Sequence, residues 1–287
     1  MEKTINLKIL TQIQTSFLIC LTLMFIHGCT LFHVPQQRNE ETAEQCLKRI
    51  WETNELLVSC KGIAKINVYG FDFQLNERIA FISQKSHQLR AEMLSPFGVI
   101  GTPFQLICNQ NQIYLNSRFL DKPIYTRPGA FLLNHALPIQ IQPQELIACL
   151  HGQLPISKQM TAYFDSQSEQ KILIRSKGLI RKTIGIVFLD SSATHVRSFE
   201  KYHFNKLIFR VTFDQYQTYQ NFSVPSKLTF SNTENQYVTL EIQSYYPNCA
   251  IKKNPFYIDN SEHSEKGGFP CLPSGIINPI RTFIDIF

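Results

Sequence analysis

Between residues 206 and 213 the chain alternates. Leu207, Phe209, Val211 and Phe213 share one parity, and Ile208, Arg210 and Thr212 share the other. Successive side chains on a strand point to opposite faces, so this period of two specifies a half-buried β-strand and excludes a helix there. The pattern recurs, which is what constrains the fold. Ala64, Ile66 and Val68 alternate with Lys65, Asn67 and Tyr69, while Leu228 and Phe230 resemble Val238, Leu240 and Ile242. Residues 71–75 and 79–83 alternate less cleanly. Strands are further expected at 88–94, 104–108 and 112–115, then at 160–165, 171–175, 183–189, 195–202, 224–230 and 237–242. Closely spaced turn signals without long crossovers make this a meander.

Two helices interrupt the strands. Residues 42–59 open on a capping-box pair, Thr42 and Gln45, and carry Ala43, Leu47, Ile50, Trp51 and Leu57 near helical spacing. Trp51 is expected as a core anchor. Residues 130–137 have the look of one or two helical turns. Pro143 then sits at a helix start and Gly152 just past its end, with Leu146, Ile147 and Leu150 as the apolar stripe. Strands, a helical break and more strands predict a mainly β fold with helices capping one antiparallel sheet. Twenty-two Phe and eleven Tyr against one Trp suit an aromatic-lined β interior. A sheet this long curls. Its inward residues, among them Ile66, Val68, Phe81, Met93, Leu106, Leu207, Phe209 and Val211, would line either a packed core or an apolar cavity.

The N-terminus predicts export. Lys3 and Lys8 precede a ten-residue apolar run, Phe17 to Ile26, too short to span a bilayer. Gly28 and Cys29 follow it directly, as in a bacterial lipobox, where the Cys thiol is acylated and becomes the mature N-terminus. Residues 1–28 are then a signal peptide, Cys29 the lipid attachment site and 29–41 a polar tether. The folded domain runs over 42–247, with an irregular, Pro- and Gly-rich extension over 248–287. Thr30 after the Cys points to the outer membrane, periplasmic face.

Residues 91–108, AEMLSPFGVIGTPFQLIC, carry an apolar loop tip. Pro96, Gly98, Gly101 and Pro103 break any continuous element, and Phe97, Val99 and Ile100 lie between them. Loop tips normally face water, so an apolar one folds onto the core, meets a partner or enters lipid. On a membrane-anchored chain the last is the expectation.

No catalytic motif is present, neither GxSxG, HExxH, a Walker loop nor GxGxxG. No enzyme activity, cofactor or metal site is predicted. Six cysteines follow Cys29, at 46, 60, 108, 149, 249 and 271, and fifteen disulfide pairings are open. Cys108 and Cys149 lie in apolar runs and are expected as buried thiols. The net charge of +6 is dispersed, without the basic block of a nucleic-acid arm.

The chain resembles the outer-membrane lipoprotein receptor LolB family and, more distantly, LolA. The carriers are Gly62, Leu94-Ser95-Pro96-Phe97-Gly98, and Leu137-Pro138-Ile139 before a helix ending in Leu150-His151-Gly152. Phe209 to Phe213 with Tyr216, and Pro225-Ser226-Lys227-Leu228, follow. The resemblance implies an unclosed antiparallel β-barrel with helices as a lid over an apolar cavity. It also implies a receptor that takes acylated lipoproteins from a LolA-like periplasmic carrier and inserts them into the outer membrane, with no cofactor. By motif position Phe97 would enter the bilayer. The chain departs from the family in its long C-terminus, in extra residues around 177–200, in its six cysteines and in Val99 and Ile100 beyond the tip. A structural envelope lipoprotein with a filled core is the alternative.

Overall fold

A computed structural model describes residues 41–70, 73–85, 87–94, 104–117, 120, 122–127, 133, 137–156, 160–177, 182–251 and 254–258. Helix α1 spans Ala43–Glu52. Strands β1 (Ser59–Gly70), β2 (Phe73–Gln84), β3 (Gln88–Met93), β4 (Phe104–Cys108), β5 (Ile113–Ser117) and β6 (Ile124–Thr126) follow. After helix α2 (Pro143–Leu150) come β7 (Met160–Asp165), β8 (Ser168–Ser176), β9 (Thr183–Leu189) and β10 (Val196–His203). The last three are β11 (Lys206–Tyr219), β12 (Phe222–Ser231) and β13 (Tyr237–Pro247). All thirteen form one antiparallel sheet in the order β6-β5-β4-β3-β2-β1-β13-β12-β11-β10-β9-β8-β7. β6 and β7 end the row and do not pair with each other, so the sheet is unclosed.

The first helix starts where its cap predicts. The Thr42 side chain accepts from Gln45 N, and the Gln45 side chain accepts from Thr42 N at 2.8 Å. The helix stops at Glu52, however, short of residue 59. Asn54 is the reason: its side-chain amide donates to Ser223 O at 2.7 Å and accepts from Ser223 N at 3.2 Å. That contact pulls the chain out of the helix and into β1. Ala43, Cys46, Leu47 and Ile50 face the sheet, and Trp51 is half-buried against the same core.

Both helices cover one face of the sheet, here the inner face. The main core lies there: Ala64, Ile66 and Val68 of β1, Ile79 and Phe81 of β2, Phe209, Val211 and Phe213 of β11, and Val238, Leu240 and Ile242 of β13. Gly62 makes room for it. A Cβ on Gly62 would stand 2.3 Å from Ser244 O and 2.7 Å from the Phe81 ring.

The outer face carries a smaller cluster that the tail assignment does not anticipate. Phe256 packs on Ala80 and Ile82, with Leu94 and Ile251 beside them. Arg90 fastens this strap by donating to Pro255 O at 2.9 Å, and Asn109 donates to Phe256 O at 3.2 Å. Arg90 also pairs with the buried Glu92 carboxylate, which Gln105 joins. The chain at 254–258 is therefore part of the folded body, and Tyr246 and Pro247 still belong to β13.

Candidate functional site

Helix α2 is held at both ends. Pro143 occupies its first turn, and Glu145 accepts from Gln142 N at 2.9 Å. The same carboxylate pairs with Lys201 of β10. At the other end, Tyr245 donates its hydroxyl to Leu150 O at 3.0 Å, and Asn54 donates to Gly152 O at 3.3 Å. Gly152 has φ +64°, and a Cβ there would meet Asn54 Nδ2 at 2.5 Å, so the helix end requires glycine on both counts.

Beneath α2 lies a cavity of about 50 Å³ lined by apolar side chains only. The sheet contributes Ile66, Phe81, Leu106, Phe230 and Leu240. The lid contributes Leu146 and Leu150 of α2 and Leu133, Leu137, Ile139 and Ile141 of the segment before it. Carbon walls bind by burial alone, at about 25 cal/mol per Å². An engineered void of ~150 Å³ holds benzene and ligand sites run to ~300–1,000 Å³, so this cavity is too small for an acyl chain as it stands. Lid side chains must leave before a longer chain enters.

The residues predicted from sequence divide. Ile66, Phe81 and Leu106 line the cavity. Val68, Met93, Phe209 and Val211 are buried in the surrounding core without lining it. Leu207 is half-buried and does not join the core, contrary to the alternation. Lys201 pairs with Phe209 and Tyr202 with Leu207, so Ile208 bulges, and it is Ile208 that packs against the core. One extra residue reverses the side-chain parity. Leu207 and Ile208 both border a polar depression with Pro138, Asn232 and Gln236. Cys29, Phe97, Val99 and Ile100 lie outside the described residues. The lid residues Leu137, Ile139 and Ile141 were not predicted, although they alternate with Pro138, Gln140 and Gln142, a period-two signal.

Cys60, Cys108, Cys149 and Cys249 are free thiols; Cys46, Cys60, Cys108 and Cys149 are buried, and Cys249 is half-buried. Burial pushes the Cys60 thiol up to about 12, and those of Cys108 and Cys149 well above the ordinary thiol range. These thiols stay protonated and are poor nucleophiles. Among the described residues no group of three His, Cys, Asp or Glu is placed to hold a metal, and no helix is long and apolar enough to cross a membrane.

A Ser-His-Asp cluster does form at the starts of β10 and β12. His195 Nε2 lies 3.1 Å from Ser223 Oγ, and His195 Nδ1 lies 3.4 Å from Asp190 Oδ2. Sequence spacing gives no sign of it. Against the cost of its burial, hydrogen bonds from Ser192, His195 and Thr194 hold Asp190 down at about 2. These contacts are those of a hairpin turn: Asp190 accepts from Thr194 N at 2.9 Å and from the Ser192 hydroxyl at 2.9 Å. The Ser223 amide, which would be the nearest oxyanion donor, is committed to Asn54. His195 Nδ1 also lies 3.0 Å from Thr194 Oγ1, nearer than Asp190 Oδ2.

No family model and no curated protein matches the sequence. Solved structures do match in fold. A Vibrio parahaemolyticus domain named for outer membrane lipoprotein sorting superposes with a TM-score of 0.52 at 12% identity, over 75% of this chain and 95% of its own. The fold is LolA/LolB-like. A DUF1329 family protein from Desulfovibrio piger gives 0.51 at 5% identity, over 76% and 98%. A LolA superfamily protein from Nitrosomonas europaea gives 0.49 at 12% identity, over 73% and 94%. At these identities the likeness is one of architecture: an unclosed antiparallel sheet with helices over its inner face.

Proposed function

We propose that this chain is a lipid-anchored lipoprotein of the outer membrane that binds the acyl chains of other lipoproteins beneath helix α2 and inserts them into that membrane. The single observation that carries the reading is the all-carbon cavity between the sheet and a lid held by few polar contacts. An acyl chain gains about 0.8 kcal/mol per buried methylene and needs no directed polar partner. Cys29 is the proposed anchor, an acylated lipoprotein the cargo and a LolA-like carrier the donor. No catalytic step is proposed. Transfer requires only that each acceptor bind the acyl chains more favourably than the last. Phe97, with Val99 and Ile100, is the proposed tip for membrane insertion; a Phe97→Glu protein is expected to fold normally and to stall in release to vesicles.

The test uses the chain from residue 29 on with a photo-crosslinkable triacylated lipopeptide and its unacylated twin. Acyl-dependent labelling of Phe81, Leu106 or Leu146 supports the reading. Absence of such labelling in a folded sample overturns it and favours the second reading, a structural envelope lipoprotein. The cavity's size of about 50 Å³ is the observation on that side.

A further inference from the structure

The hairpin between β10 and β11 turns through two residues, Phe204 and Asn205, with His203 paired to Lys206. Both turn residues have positive φ, +47° and +62°. Such a turn favours Asn and Gly, and a bulky side chain there is an outlier. Phe204 is nonetheless 71% exposed, so burial does not account for it. Its ring carries Lys182 Nζ at 4.3 Å and the His203 ring at 4.4 Å, and Lys206 opens the next strand two residues on. A strained, exposed aromatic with one lysine over its ring and a second two residues on suits a partner that is apolar within and anionic at its rim.

Topology places this tip among others of its kind. Strand pairings carry the same end of the sheet from Lys206 through Ser231 to Tyr237 and Tyr69. Tyr69 and Tyr237 stack there at 5.3 Å, both exposed, as aromatic residues do at lipid interfaces. β3 ends and β4 begins towards this same end. Lys177 follows the end of β8 here as well, while Glu234 supplies an opposing charge in the β12–β13 turn. Asn232 donates to Pro138 O, so the lid segment closes over the sheet at this end too.

We propose that the Phe204 hairpin is a membrane-contacting tip that seats its ring among the headgroups of an anionic phospholipid surface, with Lys182 and Lys206 on the phosphates. The proposal does not rest on acyl-chain binding. Vesicle contact at Phe204 and acyl labelling in the cavity can succeed or fail separately.

The experiment uses residues 29–287 with Cys29→Ala, so that neither an acyl anchor nor the signal segment contributes. Flotation is measured with phosphatidylglycerol–phosphatidylcholine vesicles and with phosphatidylcholine alone. The chain is expected to float with the anionic vesicles. Phe204→Asn, which suits the left-handed turn and should keep or raise the melting temperature, is expected to weaken partition roughly tenfold. Lys182→Gln and Lys206→Gln are expected to weaken it roughly fivefold each. Added emission from Phe204→Trp, above that of Trp51, should be quenched by brominated phosphatidylglycerol. Failure of the parent to float, flotation of Phe204→Asn equal to the parent, an unquenched Trp at 204, or a Phe204-dependent dimer without flotation each overturns the proposal.

Discussion

Lys201 of β10 reaches the inner face of the sheet and pairs with Glu145 of α2, and its ammonium also lies 5.8 Å from the Phe209 ring. The carboxylate is only 10% exposed. One ion pair thus joins the lid to the sheet beside an otherwise apolar cavity. Lys201→Met should leave Glu145 buried without its cation and cost about 1–3 kcal/mol. It should also speed acyl-lipopeptide labelling, because the lid loses a restraint. Urea denaturation and labelling time courses measure the two effects. Unchanged values for both would remove Lys201 as a latch.

Gly62 predicts a steric failure. In Gly62→Ala the new methyl meets Ser244 O, a backbone atom that can shift only with β13, as well as the Phe81 ring. The expected loss is about 1–3 kcal/mol of stability. Gly62→Ala combined with Phe81→Leu relieves only the ring contact, so recovery in urea denaturation should be partial.

His151 makes stability depend on acid. It is fully buried after α2, and its ring lies by the Leu57 backbone without a hydrogen bond of good geometry. Burial, then the nearby Lys85 charge, lower it to about 4 from 6.5. Between those values the unfolded chain holds the extra proton, so stability falls as pH drops from 6.5 through 4. The full loss is about 3 kcal/mol, at ~1.4 kcal/mol per pH unit. His151→Leu should flatten this part of the profile. A parent and variant with parallel curves between pH 7 and 4 would contradict it.

The Ser223 cluster predicts an absence. The Ser223 amide, the donor nearest its hydroxyl, is committed to Asn54 and does not serve a tetrahedral oxyanion. A fluorophosphonate probe should not label Ser223, and Ser223→Ala should not alter any background hydrolysis of a short-chain p-nitrophenyl ester. A Ser223-specific adduct that disappears in His195→Ala would instead make this a hydrolytic centre.

Much of the sheet is legible in the sequence because one parity of each strand meets the core. Residues 160–165 and 183–189 have the bounds that alternation and turn residues assign them. The exceptions have local causes. The bulge at Ile208 reverses Leu207, and a pattern of parity carries no mark of an unpaired residue. β6, only Ile124–Thr126, is too short to alternate. The poor alternation of residues 79–83 is itself informative. Ile79 and Phe81 face the inner core while Ala80 and Ile82 lie under Phe256, so both faces are apolar. That run records a second partner, which the distant Phe256 does not reveal by itself. The cavity is least legible, because inward leucines and isoleucines serve a filled or a hollow interior alike.

The strand order has one seam. Every neighbour in the sheet is also a neighbour in sequence except β1 and β13. Eleven ladders can zip as local hairpins or across one intervening connection, whereas the seam must bring residues 60–69 to 237–247. Closing so long a loop is slow, and it is the natural rate-limiting step of folding. During synthesis β1 is made early and its open edge waits for the final strand. Until β13 arrives, that edge is a template for any other extended chain. A chain of this topology has most need of a holding chaperone in the interval before β13 appears.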